Sequence, residues 1–370
     1  MILHHDCRHF RGDVPCLPHK REGVHCENCT YYEPADFSIL IVKLDAMGDV
    51  LRTTCILPGL REKYPRAHIT WLTRKESVLL FRNNPYVDTV LEYGMSSFLY
   101  LQAMEYDLVL GLDASEDSTR TASMPRAKER LGYGYDSRGY SSPLNAEAEQ
   151  WFTMGVFDDI KKQNTRSYQD IVLEICRLKT GNFDIVFHLD DDELRISETY
   201  RKKWKLKKNI PTIGVNAGSG KRWVNKKWPE HHANSLIKKL LKEKYQVLLL
   251  GGAEEKEMNK RIRTKAGARL IDTGCDHSIR EYGTIVSLCD VLVTMDTFSL
   301  HLGLALGKKV VALFGPTSAP EIEMYGRGTK MVPSVECQCY YKRSCVAEQS
   351  CMETIAPEQV FESVQRLITE

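Results

Sequence analysis

Short apolar runs alternate with amphipathic segments along most of the chain. The runs FSILIVKL, HITWLT, VDTVLEY and YDLVLGL lie in the first half, and PTIGVN, YQVLLLGG, DVLVTMDT and KVVALFG lie in the second. Each run has the length of a buried strand, and segments with helical spacing such as HHANSLIKKLLKEK lie between them. Strands that alternate with helices indicate βαβ units and parallel sheets. The pattern predicts an α/β protein with two doubly wound, Rossmann-like domains that face each other across a cleft.

Changes in this pattern set the expected boundaries. Residues 1–36 are polar, rich in Cys and His and without periodicity, so we expect an appendage that no apolar core folds. The first α/β domain is expected over 37–205, the second over 206–355, and a closing amphipathic helix over 356–370. The run FDIVFHL, just before an acidic and basic stretch, is predicted to be one more strand.

Composition narrows the class of protein. The 370 residues carry 51 Lys and Arg against 49 Asp and Glu, a net charge of +2. Near-neutral charge without a basic stripe argues against nucleic-acid binding. No apolar run approaches the length that spans a bilayer, and the opening MILHHDCRHF does not resemble a signal peptide. We therefore expect a cytoplasmic protein.

Cysteines cluster at both ends of the chain. Four of the twelve, Cys7, Cys16, Cys26 and Cys29, lie in the first 29 residues. Four thiolates can fold a short segment around one tetrahedral metal ion, so a structural zinc or iron site is one interpretation and free or occasionally oxidised thiols are the other. For the C-terminal group in CQCYYKRSCVAEQSC, packing or disulfide capability is favoured over a metal.

The segment KLDAMGDVLRTT places an acid directly after the first apolar run. A strand-to-helix turn in an α/β protein opens at the carboxyl edge of the sheet, where ligands bind. Asp49 at this turn is therefore either a helix cap or a chemical group. In the second domain, Gly218 and Ser219 of NAGSG let backbone N–H groups approach an anion closely. The spacing fits neither a P-loop nor a dinucleotide-binding GxGxxG pattern.

Further polar residues follow successive strands of the second domain. Lys226 lies just before the helix start at WPE, where positive charge and exposed N–H groups favour phosphate. A carboxylate at GGAEE or in MDTFSLHLG can accept hydrogen bonds from sugar hydroxyls. Each feature alone also has a structural interpretation, as a helix cap, a solvated loop or a packing histidine. Together they predict a sugar- and phosphate-binding set: Glu254, Glu255, Asp296, Thr297, Ser299 and His301.

These segments, in this order, resemble one family. ILIVKLDAMGDVLRTT, GVNAGSGKRWVNKKWPE, VLLLGGAEE and VTMDTFSLHLGLALGKKVVALFGPT resemble the ADP-heptose lipopolysaccharide heptosyltransferases, which are GT-B glycosyltransferases, from about residue 37 to the C-terminus. The resemblance implies inverting transfer of a sugar, most often heptose from ADP-heptose, to a hydroxyl of a lipopolysaccharide core or other glycan. It makes Asp49 the general base and Lys226 a ligand of the donor phosphates.

The resemblance also assigns the two domains. The family's D-T-G-x-x-H motif, which binds donor sugar and diphosphate, falls on residues 296–301, with Phe298 where the family has Gly. Acceptor binding falls on the first domain, where LDASEDSTR offers Asp113 and Arg120. No cofactor is implied for catalysis, and a glycolipid acceptor would place the enzyme peripherally at the inner membrane surface. Two other hypotheses stay open at this stage: an Fe–S or zinc redox protein, and a non-catalytic sugar-nucleotide-binding module.

Overall fold

The computed structural model describes residues 2–181, 183–220, 224–342 and 345–370. Within them the strands form two six-stranded sheets. The strands are β1 Phe37–Val42, β2 Ala67–Thr73, β3 Thr89–Glu92, β4 Glu105–Gly111, β5 Arg126–Tyr135, β6 Ser141–Pro143, β7 Thr212–Asn216, β8 Gln246–Leu250, β9 Ile271–Asp272, β10 Val291–Met295, β11 Lys309–Leu313 and β12 Gly328–Met331.

Helices alternate with these strands, as the sequence predicts. They are α1 Leu17–Glu22, α2 Met47–Thr53, α3 Ile56–Lys63, α4 Lys75–Val78, α5 Met95–Ala103, α6 Glu116–Ser123, α7 Ala146–Val156, α8 Asp158–Lys162, α9 Tyr168–Ile175, α10 Asp191–Lys203, α11 Glu230–Lys242, α12 Lys256–Ala266, α13 Ile279–Val286, α14 Phe298–Ala305 and α15 Pro357–Thr369.

Both sheets are doubly wound. The first has the order β3-β2-β1-β4-β5-β6 and is parallel except for the β5–β6 pair, and the second has the order β12-β11-β10-β7-β8-β9 with parallel pairing. The strand order reverses between β1 and β4 in one sheet and between β7 and β10 in the other. Ligands of such sheets bind outside the carboxyl ends of the strands at these switch points. The predicted fold class, two Rossmann-like α/β units of the GT-B type, is confirmed.

The chain divides into two compact units whose segments interleave. The first contains 1–46, 55–152 and 171–183, and the second contains 47–54, 153–170 and 184–370. The division at 205/206 stays a prediction, and this grouping puts residues 47–54, 153–170 and 184–205 with the second unit. Residues 47–54, which carry Asp49, belong to the second unit, although they follow the first strand of the first sheet.

A close contact explains why α2 joins the second unit. A Cβ added to Gly48 would lie 3.0 Å from His301 Cδ2 and 3.5 Å from Phe298 Cα, so any larger residue would require His301 to shift if α2 is to pack this tightly on α14. The helix ends at Thr53, and α3 begins after a break, with Pro58 in its first turn, where proline is tolerated. Nothing in the local sequence indicates which helix packs against α2.

The strand predicted at FDIVFHL is wrong. Residues 183–189 are described, and they form a connection without regular secondary structure outside both sheets. Ile185, Val186 and Phe187 are nevertheless buried, and the Arg280 guanidinium lies 4.3 Å from the centre of the Phe187 ring. The apolar run is thus satisfied by packing in the second unit without strand pairing. Periodicity cannot separate these two outcomes because both bury the same side chains.

The N-terminal segment has little core of its own. Among residues 2–36, all of which are described, Pro18 is the only buried one. The second unit, in contrast, packs a large apolar cluster around Trp228, Leu236 and Val293. The segment contains α1 and a short turn at Cys26–Asn28. Hydrophobic burial within the segment therefore contributes little to its folding.

Candidate active site

A cavity of about 370 Å³ opens at the carboxyl edge of the second sheet. It lies at the switch point between β7 and β10, where a doubly wound sheet binds its ligand. Most of the residues predicted from the sequence to bind the donor line it. The lining consists of Met47, Asn216, Gly218, Ser219, Gly220, Lys226, Gly251, Gly252, Glu255, His277, Ile279, Tyr282, Asp296, Thr297, Phe298 and Ser299.

Lys226 and Asp296 form an ion pair at this cavity. Lys226 Nζ lies 2.8 Å from Asp296 Oδ2 and 3.1 Å from the Asp296 backbone oxygen, and both side chains are mostly buried. Burial alone would raise the pKa of Asp296, but Lys226, His301 and Thr317 outweigh it and hold this pKa below its ordinary value. The pair therefore holds the Lys226 ammonium group beside the N-terminus of α14, where it can bind an anionic ligand.

The N-terminus of α14 opens into the same cavity. Thr297 is the cap, and the first helical residues are Phe298 and Ser299. The Ser299 hydroxyl lies 2.7 Å from the Tyr282 hydroxyl and accepts a hydrogen bond of 2.8 Å from Asn216 Nδ2. Its side chain thus fixes the cavity floor, while the unpaired N–H groups of a helix start favour an anion. The Phe298 ring is one wall of the cavity, which stays open.

Glu255 connects two glycine loops of the site. Its buried carboxylate accepts hydrogen bonds from the N–H groups of Gly220, at 3.1 Å, and Gly252, at 3.0 Å. A Cβ on Gly218 would lie 2.0 Å from Glu255 Cγ, so the close approach requires glycine there. Glu255 therefore shapes the loops that line the cavity, whereas Glu254 lies exposed on the same turn and outside the lining.

Asp49 lies on α2, which packs against α14 in the same unit. Its Oδ1 lies 2.8 Å from Arg52 Nη2, and the Asp49 side chain is 38% exposed while that of Arg52 is 9% exposed. Burial opposes the charge on Arg52, but Asp49 and Tyr168 outweigh it and raise the pKa of the guanidinium above its usual value. The turn thus presents an accessible carboxylate that is held by a buried cation.

His301 is one turn further along α14 and lies behind the cavity lining. Burial, with the nearby Arg52 charge, lowers the pKa of His301 to about 4, so the ring is neutral near pH 7. Among the described residues no hydrogen-bond partner reaches its buried Nδ1. A neutral ring against Gly48 supports the packing of α2 on α14 rather than supplying positive charge to a phosphate.

The predicted acceptor residues lie in the first unit, at the carboxyl edge of its sheet. Asp113 follows β4, where its Oδ2 accepts a hydrogen bond of 3.2 Å from the Asp45 N–H. Arg120 on α6 pairs with Glu116 at 3.2 Å and donates to the Tyr135 hydroxyl at 2.9 Å. The two residues have separate partners.

The N-terminal cysteines come together in space. Cys7, Cys16, Cys26 and Cys29 line one small cavity of about 20 Å³ in the first unit, with His4 and His9 beside them. All are free thiols and half-buried. Within the part of the chain that the structure describes, no group of three or more His, Cys, Asp or Glu side chains is already arranged to hold a metal ion. The spacing therefore predicted the cluster, and no metal site is shown.

The C-terminal cysteines also cluster as free thiols. Cys337 Sγ and Cys339 Sγ lie 3.7 Å apart, outside disulfide bonding distance. Burial, with the Cys337 and Cys345 thiols nearby, raises the pKa of Cys351 to about 12. Cys351 packs in the core of the second unit, as does Trp228, whose indole donates to the Ile355 backbone oxygen at 3.0 Å. Packing, the favoured sequence interpretation, agrees with these contacts.

Sequence reasoning missed several residues of the second-unit site. Asn216 and Tyr282 fix Ser299, and Arg52 holds Asp49. Arg52 had a local signal, because residues three apart on a helix are neighbours. Tyr282 had none, since it reaches Ser299 only through the packing of α13 beside α14.

The fold and this site together define a class of protein. Two doubly wound α/β units, with a cation and a helix N-terminus at the switch point of the second, are the features of a GT-B glycosyltransferase. A family model described as glycosyltransferase family 9 (heptosyltransferase) matches residues 98–353. The chain belongs to this family, and it is therefore a glycosyltransferase.

Two heptosyltransferases are similar in sequence to this chain along 90% of its length. It is 23% identical over 356 residues to lipopolysaccharide heptosyltransferase 2 of Escherichia coli K12, with 90% of this chain and 99% of that protein covered. It is 25% identical, with the same coverage, to lipopolysaccharide heptosyltransferase 2 of Salmonella typhimurium.

Solved structures show the same fold. A family 9 glycosyltransferase from Veillonella parvula matches with a TM-score of 0.74 at 19% identity, covering 90% of this chain and 97% of that one. E. coli ADP-heptose lipopolysaccharide heptosyltransferase II matches with a TM-score of 0.66 at 20% identity, covering 90% and 98%. Among the described residues, none of the helices has the length and apolar character needed to cross a bilayer.

Proposed function

We propose that this enzyme transfers a heptose from ADP-heptose to a hydroxyl of a lipopolysaccharide core or related glycan, with inversion at the anomeric carbon. One observation carries the proposal: the Lys226 ammonium and the N-terminus of α14 share a cavity, and the helix that bears Asp49 packs on α14. An anion-binding site for the leaving diphosphate and a carboxylate that can accept a proton are the two groups needed when a hydroxyl displaces a diphosphate. The names of the relatives support heptose as the sugar and lipopolysaccharide as the acceptor.

The proposed step needs a base and a stabilised leaving group. The acceptor hydroxyl attacks the anomeric carbon, its proton passes to the Asp49 carboxylate, and the new oxygen–carbon bond forms. The bond from that carbon to the diphosphate oxygen breaks, and its electron pair leaves with ADP. Lys226 and the N–H groups at the start of α14 stabilise the charge that grows on the diphosphate. Asp296 and Glu255 shape the seat, and we assign sugar hydroxyl contacts to Asp296.

A transfer assay with purified substrates tests this proposal. The enzyme, ADP-heptose and a heptose-deficient lipopolysaccharide core are incubated, and the core is analysed by mass spectrometry for a gain of one heptose. Mass gain with ADP release supports the proposal. If the enzyme binds ADP but transfers sugar only from another nucleotide sugar, ADP-heptose is not its donor. If it transfers sugar only to other glycans, lipopolysaccharide is not its acceptor.

We further propose that the enzyme works in the cytoplasm, at the inner membrane surface. The lipid-linked acceptor of the proposed reaction is what supports this location. Flotation with vesicles that carry the acceptor glycolipid, compared with vesicles of phospholipid alone, tests it. If the enzyme floats only with the vesicles that carry the acceptor glycolipid, the proposal is supported. If the enzyme floats with neither kind of vesicle, the proposal is contradicted.

The N-terminal appendage is proposed to hold one structural zinc or iron ion. Support comes from the four cysteines around one cavity and from the near absence of buried apolar residues in 2–36. Thiolate ligands suit either metal, and metal binding supplies folding energy that the segment otherwise lacks. Metal analysis of protein purified without added metal should give one ion per chain, lost in Cys26→Ser/Cys29→Ser and kept in Cys345→Ser. Protein without metal would contradict the site.

A further inference from the structure

Arg52 is the buried partner of Asp49 on α2. The two residues lie three apart on the helix, with Arg52 Nη2 at 2.8 Å from Asp49 Oδ1. Arg195 and Asp192 form a pair of the same spacing on α10, but there both side chains are more than 70% exposed. Exposed pairs of this kind contribute about 0.2–1 kcal/mol, since water screens them. The buried guanidinium of Arg52 has a stronger hold on its carboxylate because less solvent screens it.

The Arg52 side chain is fixed from behind. Its guanidinium lies 4.0 Å from the centre of the Tyr168 ring. The Tyr168 hydroxyl lies 2.6 Å from Thr53 Oγ1, and the Tyr168 N–H donates to the Glu321 backbone oxygen at 2.9 Å. Thr53 Oγ1 in turn donates to the Asp49 backbone oxygen at 2.6 Å. The aromatic ring and the cation are thus both tied to the turn that carries Asp49.

Lys226, His301 and Glu321 are further titratable groups of this region. Lys226 is paired with Asp296 beside α14. His301 is neutral near pH 7 because burial lowers its pKa to about 4. Burial also raises the pKa of Glu321, and Lys161 lies 3.8 Å from its carboxylate. Arg52 is a cation in direct contact with Asp49.

We propose that Arg52 is a positioning residue for the transfer reaction, which aims the Asp49 carboxylate and keeps it ionised. This inference rests on the proposed role of Asp49 as the base. Arginine suits the task because its planar group can stack on Tyr168 and bind a carboxylate oxygen at the same time. A lysine would keep the charge but not the stacked geometry, so Arg52→Lys should restore only part of what Arg52→Gln removes.

A titration of Asp49 tests the contact without an activity assay. Carboxyl ¹³C NMR on protein labelled at aspartate identifies the Asp49 signal by its absence in Asp49→Asn. In Arg52→Gln the midpoint of this signal should move up by about one pH unit, because a carboxylate loses its neighbouring cation. ADP binding and the melting temperature show whether the variant is folded. If Arg52→Gln does not fold, Arg52→Lys serves, with a smaller upward shift expected. An unchanged midpoint in the folded variant overturns the inference.

Kinetics then separate positioning from a structural role. Arg52→Gln should lower kcat by about 10- to 100-fold, leave KM for the donor within about twofold and move the acid limb of the pH–rate profile upward. In an Asp49→Asn background, Arg52→Gln should lower kcat little further, since the two residues act as one unit. The control Arg195→Gln should change none of these. An equal loss in both backgrounds, or an unchanged pH profile, contradicts positioning.

The two levels of failure are distinguishable. If Asp49→Asn keeps full turnover, the base assignment fails and this inference falls with it. If Asp49→Asn loses turnover while Arg52→Gln leaves kcat and the pH profile unchanged, the proposed function stands and only the role of Arg52 is wrong.

Discussion

The carboxyl edges of the two sheets differ in how they hold charge. At the second, the side chains of Lys226 and Asp296 are 12% and 16% exposed. At the first, Arg74 pairs with Asp45 at 2.6 Å and with Asp117 at 2.9 Å, and these side chains are 33–48% exposed. Buried charges that lose a partner are costly, whereas exposed pairs rearrange cheaply. The Lys226–Asp296 pair of the second edge is therefore costly to break, whereas the Arg74 pairs of the first edge can rearrange at lower cost.

Replacement of Asp49 should have the largest effect on turnover. Asp49→Asn removes the proposed proton acceptor and should lower kcat by about 10²- to 10⁴-fold, while affinity for ADP changes little. Steady-state kinetics together with ADP titration measure both quantities. Asp192→Asn, in the exposed pair on α10, is the matched control. Normal turnover by Asp49→Asn would exclude this residue as the base.

Acid should weaken the second unit through His301. Its folded pKa of about 4 lies below the unfolded value near 6.5, so the unfolded chain binds more protons between these values. Stability therefore falls as pH drops from 6.5 toward 4, by up to about 3 kcal/mol from this group. Urea unfolding at pH 7 and at pH 4.5 should show a smaller acid loss for His301→Gln than for wild type. Equal losses would contradict the assignment of a buried neutral ring.

The close packing of α2 on α14 can be tested at Gly48. Gly48→Ala places a methyl group 3.0 Å from His301 Cδ2 and should destabilise the protein by about 1–3 kcal/mol, with a parallel fall in kcat. Gly155→Ala on α7 is the control, because nothing lies within 4 Å of its added Cβ. Thermal unfolding and kinetics compare the two variants. A neutral Gly48→Ala would mean that α2 and α14 do not need this contact.

Changes at the first edge should have the smallest effects. Arg120→Ala, which breaks an exposed pair with Glu116, is expected to raise KM for the acceptor a few-fold, about 1 kcal/mol or less, with kcat and donor KM unchanged. Kinetics with varied acceptor measure this directly. A loss of kcat as large as that of Asp49→Asn would erase the distinction between the two edges.

Sequence alone predicted the parts of this site that depend on local pattern. Strands β7, β8 and β10 are short apolar runs, so the polar residues after them had to lie at one sheet edge. Lys226, before a Pro-containing helix start, and Asp296, after β10, were found in this way, and both line the cavity.

What the sequence did not reveal depends on tertiary packing. The grouping of α2 with the second unit rests on the contact of Gly48 with His301, which periodicity does not encode. The run FDIVFHL has the apolar character of a strand, yet it buries Phe187 beneath Arg280 instead. The spacing of Arg52 from Asp49 is visible in the sequence, but the burial of Arg52 against Tyr168 is not.

Calorimetric titration with ADP tests the central claim most directly, because the claim is that the second unit carries a preformed diphosphate seat built on Lys226. Wild type should bind one ADP per chain. Lys226→Ala should weaken binding by about 10- to 100-fold, the worth of a charge-assisted hydrogen bond, whereas Lys227→Ala at the exposed neighbouring position should not. Equal affinity in wild type and Lys226→Ala, or no binding of ADP by wild type, would contradict the account.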